Sequence, residues 1–121
     1  MLILPIKRKW FDMIINHEKD CEYREIKPYW TKRFSKYFEI EEGELLKRVN
    51  NSIEHGETYW AGGKPNNIKL RNGYSNNSPY IVVRVTLLIG EGMVEYGAKI
   101  NETYYCLKIF DILEVGNVKK C

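Results

Sequence analysis

Residues 2–6 (Leu-Ile-Leu-Pro-Ile) form a short apolar run halted by Pro5 and by Lys7-Arg8-Lys9, the pattern of a strand. The period then changes. Trp10, Met13, Ile14 and His17 fall at i, i+3, i+4 and i+7, and Phe11 and Ile15 widen the stripe, which predicts an amphipathic helix ending near His17-Glu18. Residues 20–26 alternate as a strand would, with Glu22 and Arg24 on one face and Cys21 and Tyr23 on the other. Pro28 stands where a second helix begins, and Tyr29, Trp30, Arg33, Phe34, Tyr37 and Phe38 recur at helical spacing. Residues 39–65 carry a weaker pattern, with Glu44 to Val49 reading as a short helix and 62–67 as a Gly/Pro/Asn loop. A strand is predicted over 67–72, a turn at Asn72-Gly73 and a connection from Ser75 to Pro79. Residues 80–90 are rich in β-branched side chains and nearly all apolar, so they predict a central strand with Arg84 and Thr86 as polar exceptions on one face. Gly92 to Ile100 reads as a loop, and 103–115 as a second long strand or a bent strand pair. Helices gather in the first half and strands in the second, so the expected class is α+β, built on a small barrel or strongly curved sheet.

The 121 residues are expected to form a single domain, 1–121, large enough to fold without disulfide or metal. Hydrophobic residues at 44% and charged residues at 29% suit a globular protein. The nine tyrosines favour wet clefts or a ligand surface, because a phenol buries area while keeping a polar end. No apolar run reaches membrane-spanning length, and the apolar start is too short for a secretory signal, so a cytoplasmic protein with no membrane partner is expected. Cys21, Cys106 and Cys121 are odd in number and far apart, and His17 and His55 have no ligand at metal spacing, so neither a metal nor a cofactor is expected. Gly63-Lys64 runs into Pro65, which rules out a phosphate loop, and no serine sits in a nucleophile elbow.

Charge changes the picture more than composition does. The formal net charge is +3, but residues 1–36 hold nine Lys/Arg against five Asp/Glu, while 37–57 hold two against six. A basic first third suits a phosphate-bearing partner; the alternative is that Lys7-Arg8-Lys9 and Lys32-Arg33 are solvated helix faces. The densest stretch is Lys19-Asp20-Cys21-Glu22-Tyr23-Arg24-Glu25-Ile26-Lys27, where charges of both signs sit between a helix and a strand. By itself this could be a surface charge ladder of little energetic worth.

Leu4-Pro5-Ile6-Lys7 leading to Trp10-Phe11-Asp12-Met13-Ile14, followed by Glu18-Lys19-x-x-Glu22-x-Arg24, resembles the ASCH domain. That family carries Gly-x-Lys-x-x-Glu-x-Arg between its first helix and second strand; His17 stands here at the Gly position. Arg71-Asn72-Gly73-Tyr74-Ser75, the strand Tyr80 to Val85, Glu95-Tyr96-Gly97-Ala98 and Tyr104 to Ile109 resemble its bacterial and phage branch, with Tyr96 where that branch often has Trp. The resemblance covers both ends of the chain. Residues 38–65 match least and are expected to be a helical or loop insertion.

The resemblance implies a PUA-like fold, a small and mostly antiparallel β-barrel with flanking helices, and a cleft that binds RNA or a nucleotide or modified nucleoside. Lys19, Arg24 and Lys27 would meet phosphate, Glu22 would orient Arg24 or read a base edge, and Tyr74 and Tyr96 are candidate stacking residues, packing being the alternative for each tyrosine. The family also contains small hydrolases. In relatives that deacetylate N4-acetylcytidine, a Lys and a Thr three residues later act with a distant Glu; the corresponding residues here are Lys19, Glu22 and Glu95, so the hydroxyl is missing. A ribonuclease using Glu22 as base is a further alternative. A third is a protein-interaction domain using the aromatics between Tyr29 and Phe38, although core packing explains those better.

Overall fold

The computed structural model describes residues 1–118. Its elements in chain order are β1 (Leu2–Pro5), α1 (Arg8–Ile15), β2 (Cys21–Glu25), α2 (Pro28–Tyr37), α3 (Glu42–His55), β3 (Tyr59–Trp60), β4 (Asn66–Arg71), β5 (Tyr80–Glu91) and β6 (Thr103–Gly116), with a 3-10 turn at Val94–Tyr96. The turn lies inside the stretch read as a loop. Among the described residues no helix is long and apolar enough to cross a membrane.

β5 is the centre of the sheet, as its apolarity requires. It pairs antiparallel with β4 on one side and along its whole length with β6 on the other, and touches β3 at Leu88–Ile89. β1 lies parallel to β4, and β2 antiparallel to the first half of β6. The sheet is mixed and runs β1-β4-β5-β6-β2, so the expected closed barrel is not what the backbone forms. The physical reason is local. Pro5 has no N–H to give a ladder, and β1 and β2 are each a few residues long before the chain turns into a helix. One side chain spans the open seam: Arg24 of β2 donates from Nη2 to the Pro5 carbonyl of β1 at 2.7 Å.

The core fills one face of this sheet. Phe11 and Ile14 of α1, Phe34 and Phe38 of the α2 segment, and Leu45 and Val49 of α3 pack on Ile68, Ile81, Val83, Val85, Leu87 and Tyr105. The Phe34 and Phe38 positions therefore serve packing rather than an interface, and Thr31 Oγ1 lies 2.5 Å from the buried Tyr105 hydroxyl. A second cluster on the opposite face joins Cys21 and Tyr23 to Tyr104, Cys106 and Ala98, in keeping with the alternation of β2. Cys21 and Cys106 are free thiols; Cys121 lies outside the described residues.

Helix α1 stops at Ile15, two residues short of the expected end. His17 adopts φ 60°, a left-handed conformation that costs a non-glycine residue roughly 1–2 kcal/mol. His17 thus adopts the geometry that a glycine would take without strain, and the amides of Glu18 and Lys19 both close onto the Met13 carbonyl.

Candidate functional site

The early helix stop turns Lys19 inward. Its side chain has no exposed surface, Nζ lies 3.0 Å from Glu22 Oε1 and donates to the Tyr96 carbonyl at 2.7 Å, and the ammonium sits 4.3 Å from the centre of the Trp10 ring. Burial pushes the Lys19 pKa below its ordinary value, with Glu22 opposing that shift. Lys19 is therefore a tie between α1, β2 and the 94–96 turn, and its ammonium already has its partners. The resemblance sets it beside phosphate instead.

Glu22 and Arg24 share a face of β2, as their spacing predicts. Glu22 is nearly buried and takes Lys19 on Oε1 and Arg24 on Oε2, the latter at 2.9 Å. Arg24 Nη1 also reaches the Tyr23 carbonyl at 2.8 Å, and its guanidinium lies 5.5 Å from the centre of the Trp30 ring. Together with the Pro5 contact, this leaves Nε–H and one Nη2–H of Arg24 without a hydrogen-bond partner among the described residues.

The open seam between β1 and β2 is the floor of a cleft of about 470 Å³. Glu22, Arg24 and Tyr23 line it from β2, Pro5 and Ile6 from β1, and Tyr96, Gly97 and Lys99 from the loop after β5. Gly97 has φ 101°, and a Cβ there would stand 2.8 Å from the Trp10 ring, so only glycine lets this loop close on the tryptophan.

Two helix starts supply the remaining walls, and they do so alike. Lys7 is the N-cap of α1 and Lys27 the N-cap of α2; neither helix has a side-chain cap hydrogen bond or an acidic residue in its first turn. Trp10 and Trp30 stand three residues after these lysines, and all four residues line the cleft. Each helix start presents backbone N–H groups without intrahelical partners and with partial positive charge, one fewer in α2 because Pro28 has no N–H. Lys7, Arg24, Lys27 and Lys99 face only Glu22 and Glu25 among the lining residues, an excess of two positive charges. Glu25 pairs with Lys27 at 2.8 Å, which raises the lysine pKa and lowers that of the carboxyl.

The structure brings Glu22, Arg24, Lys27 and Tyr96 together in this cleft and leaves Lys19, buried behind Glu22, and Tyr74 and Glu95 out of its lining. Tyr74 is 85% exposed, on the far side of the Pro5–Lys7 ridge, in a smaller depression of about 300 Å³. Glu95 is exposed on the 3-10 turn and does not line the cleft. The sequence reading missed Lys7, Trp10, Trp30 and Lys99. The available signal is the repeated Lys-x-x-Trp at each helix start, where both tryptophans also fit the apolar stripe of their helix. Among the described residues no group of three or more His, Cys, Asp or Glu could hold a metal ion. Comparison with protein-family models, curated proteins and solved structures finds no match to the chain.

Proposed function

We propose that this chain is a cytoplasmic RNA- or nucleotide-binding module of the ASCH type, PUA-like in plan, whose cleft receives one nucleotide unit. The observation that carries the reading is the convergence of two helix starts, each bringing an N-cap lysine and a tryptophan to one cationic cleft. The phosphate sits among Lys7, Lys27, Lys99 and the free amides of the helix termini, where both side-chain and dipole charge favour an anion. The base stacks on Trp10, Trp30 or Tyr96, and the spare donors of Arg24 meet its acceptors. The cleft volume falls within the usual span of small-ligand sites, roughly 300–1,000 Å³.

Three observations support the ASCH reading in particular. The Lys19-x-x-Glu22-x-Arg24 motif bridges α1 and β2 beside the cleft, Tyr96-Gly97 closes over it, and Arg24 draws the two edges of the sheet together. Binding is favoured over hydrolysis because each Glu22 oxygen is engaged by a cation, Glu95 stands outside the cleft and the other lining carboxylate, Glu25, is paired with Lys27.

The test is a titration of fluorescently labelled single-stranded RNA against salt. Lys7→Ala and Lys27→Ala, both at exposed positions, should each weaken binding and lower the salt slope by about one. Trp30→Ala should weaken it about tenfold with little change in slope. Titration curves that coincide with the native protein for all three variants would show that RNA does not use this cleft.

A further inference from the structure

Tyr74 is the most exposed of the protein's aromatic side chains in its surroundings, yet the loop that carries it is firmly braced. Asn72 donates from its amide N–H to the Pro79 carbonyl and from Nδ2 to the Ile6 carbonyl at 2.9 Å, and Arg71 Nε donates to the Gly73 carbonyl at 3.1 Å. Asn117 Nδ2 reaches the carbonyls of Asn76 and Ser78 from the end of β6. Gly73, at φ 130°, packs so closely on Ser78 that a Cβ would stand 2.4 Å from its hydroxyl. An uncovered ring on a fixed loop is pre-organised to be stacked upon, because little freedom is left to lose on binding.

The place of this ring adds a second, independent observation. Tyr74 lines a depression of about 300 Å³ whose other wall is Pro5, Ile6 and Lys7, and those same three residues wall the main cleft. Lys7 therefore stands on the ridge between the two, a cation common to both.

Resting on the nucleotide reading of the main cleft, we infer that the ligand is a single strand of RNA rather than a free nucleotide. One unit occupies the cleft, the linking phosphate lies at Lys7, and the neighbouring base stacks on Tyr74. Tyr74 thus belongs to a second base subsite that selects for strand length. A free mononucleotide fills the first subsite only.

The experiment compares two probes on the full chain by competition against a labelled RNA: a mixed-sequence octanucleotide RNA, and an equimolar mixture of the four nucleoside 3′,5′-bisphosphates, which carry a phosphate on either side of a single base. The readout is the ratio of the two affinities in the native protein, Tyr74→Ala and Tyr74→Trp. The inference expects that ratio to fall about tenfold in Tyr74→Ala, the usual worth of one stacked base, and to be kept or raised in Tyr74→Trp. An unchanged ratio in Tyr74→Ala, with octanucleotide still bound and still weakened by Trp30→Ala, overturns the second subsite and leaves the cleft reading standing. Failure of the native protein to bind either probe saturably overturns both.

Discussion

Replacing Lys19 by Met tests the tie on which the cleft is built. Met keeps most of the stem and its volume, and removes the charge and all three donors. Glu22, with its side chain 7% exposed, is then left with Arg24 alone, and the Tyr96 carbonyl loses its 2.7 Å donor. Breaking a buried pair from one side costs about 3–5 kcal/mol, and the surviving Arg24 contact places this case at the lower end, about 3 kcal/mol. Unfolding entropy of about 2.1 cal/mol/K per residue over 121 residues is about 0.25 kcal/mol/K, so Tm should fall by about 12 °C. Urea denaturation of Lys19→Met, Glu22→Gln and the double variant measures this directly. The double variant should cost less than the two singles together, with a coupling of about 2 kcal/mol. A loss under 1 kcal/mol in Lys19→Met, or strict additivity, would show that Lys19 does not tie α1, β2 and the turn together.

Other consequences follow from the same geometry. His17→Gly should raise stability by about 0.5–1 kcal/mol in urea melts, since glycine relieves the left-handed strain but loses more entropy on folding; an equal or lower midpoint would mean that the imidazole contributes a stabilising contact of its own. Burial raises the phenol pKa of Tyr23 and of Tyr105 above the ordinary 10.0. Unfolded phenols therefore ionise near pH 10 while these two keep their protons, so their stabilising effect is full below that pH and is lost as pH rises above it. Denaturation midpoints at pH 8, 9, 10 and 11, read beside phenolate absorbance, should decline only in the upper part of the series; a decline complete by pH 9 would contradict this. Release of acetate from N4-acetylcytidine should be absent in the native protein, because Glu22 is held by two cations; turnover that disappears in Glu22→Gln would make Glu22 a base after all.

Local pattern carried some of this structure and long-range geometry carried the rest. The apolar run at 80–90 announces a central strand because a strand covered on both faces has few polar positions to spare: Ile81, Val83, Val85 and Leu87 enter the main core and Leu88 packs on the second cluster. The alternation of 20–26 placed Glu22 and Arg24 side by side for the same local reason. Helix α3 is longer than its readable core of 44–49, since Asn50-Asn51-Ser52 are weak helix formers that tertiary packing of Ser52 and the left-handed cap at Gly56 carry through. Nothing in β1 foretold its parallel pairing with β4 or the open seam beside Pro5. Lys19 looked like a surface cation because its burial depends on where α1 stops, and one left-handed residue decides that. Trp10 and Trp30 sit on the apolar stripes of their helices, and only the meeting of the two helix starts makes them walls of a cleft.

The protein's three tryptophans allow one measurement that bears on the central claim without any mutation. Trp10 and Trp30 line the cleft, whereas Trp60 is 55% exposed on β3 and does not line it. In a nitrogen-15 labelled sample each indole N–H gives a separate signal. On titration with mixed-sequence single-stranded RNA, the signals of Trp10 and Trp30 should move together and saturate with one apparent affinity, while that of Trp60 stays where it is. Stationary Trp10 and Trp30 signals under conditions where RNA binds, or movement of Trp60 alone, would contradict the account.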